Sequence, residues 1–163
     1  MKLRNVEASD GELLANLLEL YIHDLSPFFP QVRIGENGRF GYARLPAFLD
    51  GASDRFARII EVDGRPAGFV LAQRGSPVSE DPAVLDIAEF FVLRSCRGQG
   101  VGRRAAHALW EQLPGTWTIR VSARKPAALG FWERAVASFL KRPVAPREHS
   151  VSGQPWSVFW LES

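Results

Sequence analysis

The order of segments along the chain predicts an α/β fold, with helices packed on one mixed sheet. Three observations carry that prediction. An apolar run over residues 85–93 stops at a glycine- and arginine-rich loop, and the loop runs straight into a helical pattern over residues 101–113. A second strand-then-helix pair follows at residues 117–136. Before them, Asp63-Gly64 separates two apolar stretches, the strongest short signal for a hairpin.

Taken in order, residues 3–7 predict a short strand. Ser9-Asp10-Gly11-Glu12 matches a capping box ahead of an apolar run. Leu14, Leu17, Leu18, Tyr21 and Leu25 recur at helical spacing, so a helix is expected over residues 11–23, closed by Pro27 and Pro30. Residues 26–42 are irregular and aromatic, with Phe28, Phe29, Phe40 and Tyr42 among three glycines. A long loop in a compact domain is usually functional or mobile. This one is expected to form part of a substrate pocket or to pack on the core as a flap. His23, Asp24 and Glu36 offer contacts to a cationic ligand or are simply solvated. A short helix over residues 45–49 precedes the hairpin of residues 58–62 and 67–72, where Pro66 sits at a strand start that tolerates a missing donor. The helix after the glycine loop buries Ala105, Ala106, Leu109, Trp110 and Leu113. The last helix starts at Pro126, a residue pre-shaped for the first helical position. It buries Ala128, Trp132, Ala135 and Val136. Residues 139–144 and 157–161 are expected to be terminal strands.

The loop itself reads Arg97-Gly98-Gln99-Gly100-Val101-Gly102-Arg103-Arg104. Three glycines remove Cβ atoms, so backbone N–H groups can crowd around one point. The helix start adds unpaired N–H donors and a partial positive charge. Together they form a site for an anion, most simply a phosphate or pyrophosphate. No Gly-Lys-Ser/Thr follows, which excludes the ATP-type loop. Arg103 stands where a dinucleotide fingerprint needs its third glycine, and no acidic residue marks a strand end roughly 20 residues on. What remains is Arg-x-x-Gly-x-Gly, read as Arg97, Gly100 and Gly102, after a strand and before a helix.

On these residues the sequence resembles the GNAT family, the GCN5-related N-acetyltransferases, and the order of elements agrees along nearly the whole chain. The resemblance implies a single GNAT domain over residues 1–163, with a largely antiparallel mixed sheet of six to seven strands and helices on both faces. It implies acetyl-CoA as co-substrate. Backbone N–H groups of Gly98, Gln99, Gly100, Val101 and Gly102 would hold the pyrophosphate, with Arg97 in the motif. The strand residues Phe91, Val92 and Leu93 would guide the pantetheine arm. Arg103, Lys125 or Arg124 would meet the 3′-phosphate or be solvated. The activity implied is transfer of an acetyl group to a primary amine by direct attack.

Such an attack needs a neutral amine and therefore a base. The strand before the loop offers Glu89 and Asp86. Strict alternation puts Glu89 on one face with Leu85, Ile87, Phe91 and Leu93. Glu89 is the candidate catalytic base or a structural hydrogen-bond acceptor, and Asp86 is second choice. The family usually places an Asn and, seven residues on, an acidic Tyr after the next strand. Lys125 and Trp132 occupy those positions, and Trp132 carries no proton to give at neutral pH. A leaving thiolate would then depart unassisted, take a proton from water, or use Ser122. Trp132 also motivates a second reading, a non-catalytic acyl-CoA-binding or regulatory module.

Composition closes several other routes. The formal charge of +2 argues against a nucleic-acid binder, since the arginines cluster locally. The sequence shows no apolar run approaching a membrane span and no apolar signal-peptide core at its start. One cysteine, Cys96, suits a reducing compartment, so a cytoplasmic location is expected. No His/Cys cluster has metal spacing and no Gly-x-Ser-x-Gly is present, so neither a metal nor serine chemistry is expected. The acceptor, a small-molecule or peptide amine, and the oligomeric state, a homodimer included, stay open.

Overall fold

One sheet of seven strands organises the molecule, and its strands run in the order β1-β2-β3-β4-β5-β7-β6. The structure, a computed structural model, describes residues 1–151 and 153–163. The strands are β1 (Lys2–Asn5), β2 (Arg55–Val62), β3 (Arg65–Arg74), β4 (Leu85–Val92), β5 (Thr116–Ser122), β6 (Arg147–Val151) and β7 (Gln154–Glu162). The helices are α1 (Gly11–Leu25), α2 (Leu45–Leu49), α3 (Val101–Gln112) and α4 (Pro126–Leu140). Every neighbouring pair is antiparallel except β4 and β5. That parallel pair is the one joined by a crossover helix, α3, as a parallel connection requires. Among the described residues, no helix is long and apolar enough to cross a membrane.

Each face of the sheet buries its own cluster. Leu14, Leu17 and Leu18 of α1 and Phe48 of α2 pack with Ile59, Phe69, Leu71 and Phe91. On the other face Ala105, Leu109 and Trp110 of α3 and Trp132 and Val136 of α4 pack with Ile60, Val70 and Phe159. Neighbours in sequence such as Ile59 and Ile60 thus divide between the faces, as the pleat demands. The hairpin turn is as expected: Asp63 (φ 50°) and Gly64 (φ 73°) both adopt left-handed backbone.

Three sequence expectations need correction. The capping box ahead of α1 is built two residues earlier, on Glu7 and Asp10. The Asp10 carboxylate accepts from the Glu7 N–H (2.8 Å) to cap a 3-10 turn, Ala8–Asp10. Asp10 also pairs with Arg4 at 2.5 Å, so the carboxylate is engaged where the sequence points to Ser9. Next, residues 139–144 form no strand. Phe139 and Leu140 continue the helical spacing of Ala135 and Val136, and Phe139 packs edge-on against Trp110 at 5.0 Å. α4 runs to Leu140, and Lys141, with a φ of 55°, caps it. The first terminal strand is β6 instead.

The third correction concerns β4. Ile87 pairs with Ala72 and Glu89 with Leu71, which leaves Ala88 as an extra residue. The bulge reverses the alternation. Leu85 and Ile87 therefore lie in the α3/α4 cluster, whereas Phe91 and Leu93 lie with α1. Glu89 goes with the second pair, toward Tyr21 of α1.

Gly68 fixes how closely β3 approaches this strand. A Cβ there would stand 2.0 Å from the Phe91 carbonyl oxygen. Gly68→Ala is expected to destabilise the fold by about 1–3 kcal/mol or more through forced strand separation, measurable as a lowered midpoint in urea unfolding.

Candidate active site

β4 and β5 pair only at Leu85–Trp117 and Asp86–Thr118 and then part. A cavity of about 380 Å³ opens along that split. β4 contributes Ile87 to Phe90, β5 contributes Ile119 to Ser122, and α4 contributes Ala128 and Trp132, with Lys125 just before it. The loop of residues 26–44 closes one side with Phe29, Gln31, Val32 and Arg44. It is fastened to α1 by Glu19, whose carboxylate accepts from the N–H groups of Phe40 (2.7 Å) and Gly41 (2.9 Å).

Glu89 stands on this cavity. Its Oε2 accepts from the Tyr21 hydroxyl at 2.5 Å and its Oε1 from the Tyr42 hydroxyl at 3.0 Å. These are the two tyrosines of the chain. Burial raises the Glu89 carboxyl above the ordinary glutamate value, and the two hydroxyls, then Arg44 and Arg120, pull it back only in part. Burial and the Glu89 charge raise both phenols, so they stay protonated donors. The sequence places Tyr21 in a buried helical stripe and Tyr42 in a loop. Nothing in either position reveals that their polar tips meet on one carboxylate 47 to 68 residues away.

Asp86 is differently placed. It is fully buried. Arg120 grips it with two hydrogen bonds, Nε to Oδ1 (2.9 Å) and Nη2 to Oδ2 (2.8 Å), and the Thr118 hydroxyl lies 2.9 Å from Oδ1. A carboxylate so occupied does not line the cavity and is not free to take a proton from a ligand. Removing one member of a buried pair leaves the other unpaired. Asp86→Ala is expected to cost about 3–5 kcal/mol of stability on that ground, read from denaturant unfolding. Arg120 escapes a sequence reading because its partner lies on another strand.

At the far end of the split lies the glycine loop. Gly98 (φ 76°) and Gly100 (φ 71°) are left-handed, and Gly100 caps α3. The first intrahelical bond is Arg104 N–H to the Gly100 carbonyl. The N–H groups of Val101, Gly102 and Arg103 precede it at the helix start. Gly102 serves packing: a Cβ would come within 3.1 Å of the Phe131 ring, so its absence lets α3 approach α4. Gln99 holds the loop by donating to the Ser95 carbonyl (3.1 Å). Arg103 and Arg104 are exposed on the first turn.

Arg97 has structural partners of its own. Its Nε donates to the Val92 carbonyl (2.8 Å) and its Nη2 to Asp24 (2.6 Å), which Arg94 also meets. Asp24 is therefore a strut between α1 and the loop. His23 and Glu36, both exposed, lie away from the cavity. Along β4, Leu93 N–H donates to the Ala67 carbonyl, so by ladder alternation Phe91 and Leu93 turn their backbone groups to β3. Phe90 and Val92 turn theirs toward the split, the Val92 carbonyl being taken by Arg97.

A glycine loop on a helix start, beside parallel strands that part after two residue pairs, is an arrangement with known relatives. A family model described as the acetyltransferase (GNAT) family matches residues 15–136. The chain belongs to the GNAT acetyltransferase family. No curated protein matches it by sequence. Solved structures share its fold. An aminoglycoside acetyltransferase in complex with coenzyme A and kanamycin is 17% identical, with a TM-score of 0.72 over 99% of this chain and 94% of that one. An acetyltransferase from Thermus thermophilus is 19% identical, with a TM-score of 0.65 over 99% and 96%. Arabidopsis thaliana NAA60, in complex with a bisubstrate analogue, is 17% identical, with a TM-score of 0.63 over 99% and 97%.

Two further residues border the cavity. Trp132 is 6% exposed and packs edge-on with Phe90 (4.9 Å) and Phe131 (4.8 Å), so it is a core residue that forms part of the cavity wall. Lys125 precedes α4 and is half-buried, its Nζ 5.9 Å from the centre of the Phe28 ring. Burial and the neighbouring Arg97 pull its pKa below the ordinary lysine value, against Asp24 and Glu89.

Proposed function

We propose that this GNAT protein is an acetyl-CoA-dependent N-acetyltransferase that acetylates a primary amine by direct attack, with Glu89 as the general base. The observation that carries the reading is Glu89 itself: a largely buried carboxylate on a cavity that opens where β4 and β5 part. The chain offers a fitting cradle for coenzyme A. Open space lies over Gly98, and the N–H groups of Val101 to Arg103 lead the α3 helix. Acetyl-CoA, when bound, supplies an activated acetyl thioester.

The protein's residues then have separable tasks. Val101 to Arg103 and the α3 dipole hold negative charge at the loop. The backbone of Phe90 and the N–H of Val92 offer strand-like partners along the split. Glu89, held between two phenols, takes the proton from the amine, directly or through a water. Lys125 and Ser122, on the β5 side of the same cavity, are the groups placed to return a proton. Trp132 contributes wall and packing rather than acid. A cytoplasmic setting, consistent with the free thiol of Cys96, belongs to this reading.

Calorimetry with coenzyme A is expected to give a dissociation constant of micromolar order. No binding at millimolar ligand would overturn the proposal. A panel of amines with acetyl-CoA, followed by release of free thiol, separates an enzyme from a protein that only binds the cofactor. Binding without any turnover across the panel would favour the binding module that Trp132 suggests.

A further inference from the structure

We propose that the acceptor is a small amine that also carries a carboxylate, received by the guanidinium groups of Arg44 and Arg120 against the aromatic walls of Phe29 and Trp156. The inference rests on reading the cavity as the acetyl-transfer site and specifies what that site accepts. Among the described residues that line it, Arg44, Arg120 and Lys125 are cationic and Glu89 is the single carboxylate. Asp86 neutralises Arg120 from behind the wall. With Glu89 ionised, one positive charge is left over; once Glu89 has taken the proton from the ammonium, two are left. The amine is then neutral and ready to attack, and a carboxylate-bearing acceptor at that moment carries one negative charge. A polyamine brings further positive charge to a lining that is already positive.

The two arginines are also pre-set. Asp86 takes Nε and Nη2 of Arg120, and the guanidinium lies 5.5 Å from the centre of the Trp156 ring, which leaves Nη1 as its free donor edge. Arg44 donates Nη2 to Gln73 (2.5 Å) and lies 5.8 Å from the Phe48 ring centre. A guanidinium held this way loses little freedom on binding an anion. Both line the same cavity as Glu89, and Tyr42, two residues before Arg44, donates to the Glu89 carboxylate.

Matched pairs test the proposal: phenylalanine against phenethylamine, tryptophan against tryptamine, and tyrosine against tyramine, with kanamycin and spermidine as polycations. The acids are expected to show kcat/KM about ten- to a hundredfold above their decarboxylated partners, the range of a charge-assisted hydrogen bond. Arg44→Gln, at an exposed position, is expected to bring that ratio close to one. Equal or better turnover of the amines or polycations would overturn the proposal while leaving acetyl transfer standing. An acid preference that Arg44→Gln does not change would equally overturn it. Calorimetry of N-acetylphenylalanine against N-acetylphenethylamine, with and without coenzyme A, decides the question without turnover. Tighter binding of the acid supports the carboxylate site, and equal binding refutes it. Failure of coenzyme A alone to bind would instead count against the acetyltransferase reading.

Discussion

Replacing Glu89 with glutamine is expected to lower kcat by about 10²–10⁴-fold, the usual range for loss of a general base, with coenzyme A affinity unchanged. The substitution is nearly isosteric and leaves an amide oxygen for one of the two phenols, so the cavity should keep its shape. The pH dependence gives the sharper test. Burial raises the Glu89 carboxyl above its ordinary value, and its basic form exists only above that raised pKa. Turnover should therefore fall with acid along a limb displaced upward from the usual glutamate range, and Glu89→Gln should lack the limb. Tyr42→Phe removes a hydrogen bond that lowers the carboxyl pKa, so the limb should move to still higher pH. Stability follows the same shift with a definite sign. A carboxyl raised in the folded state gives stability that is full below the unfolded glutamate pKa and is lost as pH rises through the folded value. Relative to Glu89→Gln, the native protein should lose stability across that window. A kcat unchanged in Glu89→Gln would reduce Glu89 to a structural acceptor for the two tyrosines.

The reason Glu89 can occupy this position is the bulge at Ala88. Strict alternation misplaces its neighbours because alternation counts residues and a bulge inserts one without any letter to mark it. No glycine or proline stands at Ala88 to signal the break. The identity of Glu89 is legible from its distance to the loop, whereas its partners are not, since Tyr21 and Tyr42 reach it across long stretches of chain. The helix faces, the Asp63-Gly64 turn and the glycine loop are legible because each depends on local periodicity or local backbone conformation. β6 is not. Arg147-Glu148-His149-Ser150-Val151 is an edge strand, largely exposed, with no apolar alternation to read. The apolar letters of Phe139 and Leu140 suggest a strand in its place, but tertiary packing of Phe139 against Trp110 and His107 claims them for α4. Arg44 and Arg120 are likewise visible only once the fold has brought a loop and a central strand to one cavity.

The second large effect is expected at the other end of the split. Gly100→Val should reduce coenzyme A binding by more than about a hundredfold, equivalent to roughly 2.8 kcal/mol at 25 °C. Two local facts set that expectation. The Gly100 φ of 71° costs a β-branched residue about 1–2 kcal/mol of left-handed strain. Relieving the strain rotates the peptide that leads into Val101, one of the N–H donors at the helix start. The new Cβ would also lie 3.1 Å from Arg104 Nη1 and 4.0 Å from Arg103 Nη2. Both contacts are the far ends of flexible, exposed side chains, so they can swing away and the fold survives. What does not swing away is the side chain itself, standing over the donors where an anion must approach. Gly102→Ala provides the contrast, because there the added carbon meets the Phe131 ring inside the α3–α4 contact. Its loss should appear first in thermal stability, whereas Gly100→Val should appear first in ligand affinity. Normal coenzyme A binding by folded Gly100→Val would remove the loop from the binding site and leave the split between β4 and β5 without its anion cradle.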